Sequence, residues 1–214
     1  MQIKNKLFII TLCILKLFLL TIHTLADEFN ISATEVSVDK KNSIIVGKGE
    51  VIVTDSEGKI INSDKVIYEK SKKVLTAVGS VNILDVEGNI LKTDKAVYNK
   101  IKNIIYTFGN TNIFLQEGYQ LKSSNIIYDN KEKIISSSEN SIFTDTDGNV
   151  VTVSMFRYDI EKNLFSSLGK IEIFDIQKNR YFFKELHVDT KRKEMIGSDV
   201  SVVLDKKSFG VNDK

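Results

Sequence analysis

Residues Gly79 to Phe108 read GSVNILDVEGNILKTDKAVYNKIKNIIYTF. Val81 and Ile83 alternate with polar neighbours, the period of a half-buried strand. Asp85-Val86-Glu87-Gly88 supplies a turn, with glycine where a positive φ is needed. Leu91 and Thr93 begin a second strand of the same period. At Asp94 the apolar parity shifts to Ala96 and Tyr98, which signals a bulge or corner. Asn99 to Asn103 is another polar turn, and Ile105 and Thr107 lead towards the next glycine. The unit therefore reads as two or three short strands separated by turns.

The unit recurs on both sides. Gly49, Gly79, Gly109 and Gly169 are spaced by multiples of 30, with Glu139 in the missing register. Gly58, Gly88, Gly118 and Gly148 keep the same period, and so do Tyr68, Tyr98, Tyr128 and Tyr158. Val38 and Val188 extend the tyrosine register at either end. A unit this short cannot bury its own apolar face, so neighbouring units must stack into an elongated all-β body. The inward positions then form ladders. Val53, Ile83, Ile113, Phe143 and Ile173 make one, with Val51, Val81 and Ile171 two residues before it. Beyond the corner stand Val66, Ala96, Ile126 and Phe156, followed by the tyrosine ladder. One apolar seam is expected along the whole length.

Composition agrees with strands. There is no proline, so no ladder is interrupted by one. The first 26 residues differ in kind: Lys4 and Lys6 precede an apolar run from Leu7 to Leu20, and Thr24-Leu25-Ala26 forms a small-residue cleavage pattern. Residues 1–26 are expected to be a secretory signal peptide. The alternative is an uncleaved anchor, against which Lys16 argues. Cleavage removes Cys13, His23 and three lysines, leaving 27 basic against 28 acidic residues, no cysteine and one histidine, His187. That excludes a disulfide framework and a cysteine–histidine zinc site, and gives no footprint for nucleic acid.

The clearest copies of the corner are Ile61-Asn62-Ser63-Asp64-Lys65-Val66-Ile67-Tyr68 and Leu91-Lys92-Thr93-Asp94-Lys95-Ala96-Val97-Tyr98. Joined to the glycines and the alternating pair, this form resembles the OstA-like domain of the lipopolysaccharide-transport family. The resemblance spans Phe29 to Phe209, within a domain at 27–210. It weakens where Ser124 and Ser154 replace the aspartate. It implies a jellyroll folded like a taco shell, open on one side, with lipid A acyl chains held between its walls. The inward residues above then become the groove. It also implies head-to-tail joining with other such domains in the periplasm, and no catalytic residue, cofactor or metal. The tail Asp205 to Gly210 looks like the end of the N-terminal domain in the outer-membrane assembly member (LptD), with 211–214 a tail or truncation point and the protein then outer-membrane associated. A stand-alone domain of the soluble LptA type is the other reading.

The residues themselves leave alternatives open. The ladders could close into an ordinary core, giving a structural β-solenoid with no lipid. The tyrosines could be strand packing, or could line the groove with hydroxyls at its mouth. Asp145-Thr146-Asp147-Gly148-Asn149 lacks the spacing of an EF-hand and reads as a turn. His187 has no partner for catalysis in the sequence pattern. An enzyme on a β-helix would need a cluster breaking the repeat, yet Arg157, Arg180 and Arg192 fall in different registers. Stacking leaves an unpaired edge at each end, with Ile31 to Val38 and Val200 to Leu204 the expected edge strands.

Overall fold

The alternating runs form strands along the chain. The computed structural model describes residues 29–116 and 118–209, so the signal assigned to 1–26 and the tail at 211–214 lie outside the described residues. Among the described residues, seventeen strands make one sheet, and all their pairings are antiparallel. The chain meanders: Ile44–Asp55 pairs with Ile60–Glu69, which pairs with Val74–Leu84, then Ile90–Asn99, then Ile104–Phe114. Two such arms and their turns make the 30-residue repeat. The arms are longer than the sequence suggested, because Ile90–Asn99 continues unbroken through the step at Asp94.

The step is a bend. Pairing shifts register between Lys48 and Val51, Asn62 and Lys65, Val78 and Val81, and Thr93 and Lys95. Gly79 and Ser80 both have left-handed backbone, with φ of 79° and 46°, and two such residues in succession turn the strand sharply. Further along, the bend splits arms outright, giving Gln120–Ser124 and Ile127–Asp129, Ile134–Ser137 and Ser141–Thr144, and Val150–Val153 and Phe156–Asp159.

Aligned bends crease the sheet into two walls along a spine. Residues 65–69, 74–78 and 95–99 belong to one wall; 51–55, 60–63 and 81–84 belong to the other. Side chains from the two inner faces meet. Phe143 of the second wall packs edge-on against Phe156 and Phe165 of the first, with ring centroids 4.8 and 4.7 Å apart. Phe29 meets Tyr68 likewise at 4.9 Å. The architecture is an elongated β-jellyroll folded like a taco shell, built of stacked antiparallel strands on a 30-residue repeat.

In the crease, buried hydroxyl residues alternate with the apolar Val51, Val81 and Ile171 of the same register. The hydroxyls satisfy one another: those of Thr93 and Thr111 lie 3.0 Å apart, Thr111 donates to Thr107 at 2.8 Å, and Ser123 and Ser141 are 2.7 Å apart. Buried hydroxyls need such partners. The strand tips use two other devices. In the first wall, backbone bonds stack tips one repeat apart: Lys100 N to Lys73 O, Asn130 N to Asn103 O, Ile160 N to Lys133 O and Thr190 N to Asn163 O, all 2.9–3.0 Å. In the second wall, Asp85 Oδ1 accepts from the amides of Glu87 and Asn89, and the Asn89 side chain donates to Oδ2 at 2.9 Å. Asp145 with Asn149 repeats the arrangement, so this segment is a turn.

Each end presents an edge. Phe29–Ser32 and Glu35–Asp39 pair only with Ile44–Asp55 among the described residues. Glu194–Ser198 and Ser201–Val203 pair only with Arg180–Asp189. The expected first edge strand is thus two strands broken near Ala33, and the expected last strand is shorter by a residue at each end.

Candidate functional site

The seam between the walls collects every residue assigned to it from sequence. Val51, Val53, Val66, Tyr68, Val81, Ile83, Ala96, Tyr98, Ile113, Ile126, Phe156, Ile171 and Ile173 are buried there, and Tyr128, Phe143 and Tyr158 are half-buried against them. Much of the lining was missed. Ile61, Leu75, Leu91, Ile105, Leu121, Ile135, Val153, Phe165 and Leu186 are equally buried. The signal for one set was visible, since Leu75, Ile105, Ile135 and Phe165 share the 30-residue register.

The walls lie closed on each other. The seam's interior side chains have lost nearly all contact with water, each worth about 1.5–3 kcal/mol for a full-sized apolar residue. Yet no strand pairing joins the walls at the mouth among the described residues, so the sheet is creased and not a barrel. The seam also surfaces at both ends. Val36 and Val38, whose register places them inward, are 49% and 58% exposed; Met195 and Val202 at the far end are 56% and 47% exposed.

The tyrosines run from the seam to its mouth, apolar body inside and hydroxyl at the tips. The Tyr98 hydroxyl donates to Asn103 Oδ1 at 2.9 Å, and burial pushes its pKa up to about 12. Burial does the same at Tyr128, also to about 12, with Asp85 and Glu87 adding to the effect. The Tyr158 hydroxyl lies 3.3 Å from Thr190 Oγ1.

At one level charged side chains from the two walls meet across the mouth. Lys100 Nζ donates to Glu57 Oε1 at 2.7 Å and lies 3.6 Å from Asp55 Oδ2. Lys59 Nζ lies 3.6 Å from Asp55 and 4.8 Å from the Tyr98 ring centroid. Burial lowers the pKa of Lys59 despite Asp55 and Glu57 beside it. Burial also opposes the charge on Lys100, but the bond to Glu57 and the neighbouring Tyr98 and Asp55 outweigh it and hold the ammonium above the usual lysine range.

No family model matches the chain, and no curated protein does. Among solved structures, it is similar to LptH of Pseudomonas aeruginosa, described as the LptA-homologous periplasmic component of the lipopolysaccharide transport device. That match has 13% identity and a TM-score of 0.26, covering 84% of this chain and 98% of that one. The TCP10 domain of Danio rerio CPAP matches at 13% identity and a TM-score of 0.20, covering 80% of this chain and 100% of that one. The same domain in complex with a STIL peptide matches at 14% identity and 0.15, covering 70% and 95%. At such identities and scores these likenesses assign neither a family nor a ligand.

Away from the seam, His187 stands on the outer face, Nδ1 3.0 Å from Ser166 Oγ and Nε2 2.9 Å from Glu185 Oε1. Among the described residues no group of three or more histidine, cysteine, aspartate or glutamate side chains could hold a metal ion. Nor is any helix among them long and apolar enough to cross a membrane.

Proposed function

We propose that the chain is a periplasmic module of lipopolysaccharide transport that shelters lipid A acyl chains between its two walls, without covalent chemistry. The observation that carries this reading is the form of the seam: continuous, apolar, unpaired along its mouth and open to water at both ends. The corner motif at Asp64 and Asp94 and its resemblance to the OstA-like domain support it independently. An acyl chain entering the seam exchanges wall–wall contacts for wall–methylene contacts, so opening exposes little apolar surface. The chain's own transfer from water, about 0.8 kcal/mol per methylene, then drives binding. Ladders that repeat every 30 residues offer similar affinity at each step, which suits movement along the seam.

The exposed edges at Glu35–Asp39 and Ser201–Val203 support head-to-tail joining with further jellyroll domains, a heterologous contact that propagates. Outer-membrane association follows if the chain is part of a larger protein of the LptD type.

A second reading has its own observation. The aromatic contacts of Phe143 across the seam are those of a closed core, as in a structural solenoid. Native mass spectrometry with rough lipopolysaccharide and with its deacylated form separates the two. Adducts with the acylated form alone support the groove; adducts with neither support the solenoid.

A further inference from the structure

We propose that Asp55, Glu57, Lys59, Tyr98 and Lys100 form a clasp that holds the two walls together across the mouth, and that acyl chains gain lateral access when Lys100 releases Glu57 and Asp55. The proposal rests on the acyl-groove reading. Asp55, Glu57 and Lys59 stand on a tip of the second wall, Tyr98 and Lys100 on a tip of the first. The bonds at 2.7 and 3.6 Å from Lys100 therefore bridge walls that no backbone pairing joins there. Tyr98 adds a third link, its hydroxyl 3.5 Å from Asp55 Oδ2, while Lys59 lies over its ring.

The repeat does not require these charges. One copy later, the positions of Lys59 and Lys100 carry Asn89 and Asn130; two copies later, Tyr119 and Ile160; three copies later, Asn149 and Thr190. The asparagines close their own turns without a lysine, as Asn89 does on Asp85. At that next level no ion pair spans the mouth among the described residues. Instead Asp85, Glu87, Tyr128, Asn130 and Lys133 line a cleft of about 60 Å³ that reaches Glu57 and Lys59 of the clasp. The mouth is thus fastened at the clasp, with a cleft directly beside it.

The fastening is of a kind that can release. The Asp55 carboxylate is fully buried and Lys59 nearly so, at a separation too long for a strong charge-assisted bond. Desolvation offsets most of the attraction in such a pair. Glu57 is half-exposed and can exchange Lys100 for solvent, while the largely buried Lys100 can turn to an anionic headgroup; Asp55 keeps Lys59 and the amides of Glu57 and Lys59 as partners when Lys100 leaves.

The test places spin labels on the full chain at Ser56→Cys and Ile101→Cys, exposed neighbours of the clasp on opposite tips, with Cys13→Ser as background. The label-to-label distance distribution is measured alongside uptake of a fluorescent twelve-carbon fatty acid. Lys100→Gln is expected to widen the distribution and speed uptake about tenfold, the factor that losing one charge-assisted bond gives. Lys72→Gln, which breaks a pair with Glu69 on one tip only, should change neither. Glu57→Gln repeats the test should Lys100→Gln fail to fold. An unchanged distribution in the clasp variants overturns the clasp, whatever the uptake. A widened distribution with no uptake by any protein upholds the clasp and overturns the acyl-groove reading.

Discussion

Asp64 lies over Gly79 so closely that a Cβ at residue 79 would stand 2.2 Å from the aspartate Oδ2. The two belong to adjacent arms at the spine, and the relation repeats. Asp94 would approach a Cβ at Gly109 to 3.2 Å, while Ser154 leaves 3.6 Å above Gly169. Where Ser124 replaces the aspartate, Glu139 replaces the glycine. The glycine register and the aspartate of the corner motif are therefore one device: a side chain folded over the neighbouring arm's bare backbone.

Gly79→Ala should destabilise the fold by about 2–4 kcal/mol, combining a left-handed backbone with a collision. Gly169→Ala, with room above it, should cost about 1–2 kcal/mol, the backbone term alone. Asp64→Ser should recover part of the Gly79→Ala loss, because neighbours couple. Urea unfolding of the four variants measures all three; equal losses at residues 79 and 169 would refute the pairing.

Tyr98 and Tyr128 should resist ionisation until about pH 12, and their absorbance near 295 nm should titrate after that of the exposed tyrosines. Because folding raises both pKa values above the ordinary 10, the stabilisation is fully present below pH 10 and lost as pH rises towards 12. Tyr98→Phe should flatten the decline in stability over that window. A decline of unchanged steepness would show that the alkaline loss arises elsewhere.

Val202→Lys places a charge at the inward position of the last edge strand. Such a charge discourages strand addition. Light scattering should show the unmodified chain associating with rising concentration and the variant remaining monomeric. Equal masses at all concentrations would remove this edge from the assembly.

The turn of Asp85 should be worth about 1–2 kcal/mol, since one carboxylate accepts two backbone amides and the Asn89 side chain. Asp85→Ala should lower the urea midpoint accordingly. Asn89→Ala should lower it further by removing the bond from Asn89 Nδ2 and the one its Oδ1 accepts from the Gln116 amide at 3.0 Å. No change in either variant would mean that the turn's backbone bonds suffice.

Much of this was legible in the sequence. The period gave the arms, the shift of parity at Asp94 gave the bend, and the inward residues chosen from the glycine and tyrosine registers all face the seam. The companion arm was under-read because Leu75, Ile105 and Ile135 stand in runs such as Ile104-Ile105-Tyr106, where apolar neighbours on the outer face blur the alternation. The crease hydroxyls were also missed: Thr111 and Ser141 occupy the inward register of Val51, Val81 and Ile171, but as polar residues they break the apolar pattern that marked it. The contacts across the mouth had no local signal, because Glu57 and Lys100 are 43 residues apart.

Photo-crosslinking to lipopolysaccharide tests the central claim most directly. A photoreactive residue is placed in turn at the inward positions Ile83, Ile113 and Phe143, and at their outward neighbours Asn82, Asn112 and Ile142. The acyl groove predicts lipid adducts at the inward set alone. Adducts at neither set, or at both equally, would contradict it and leave the seam a closed core.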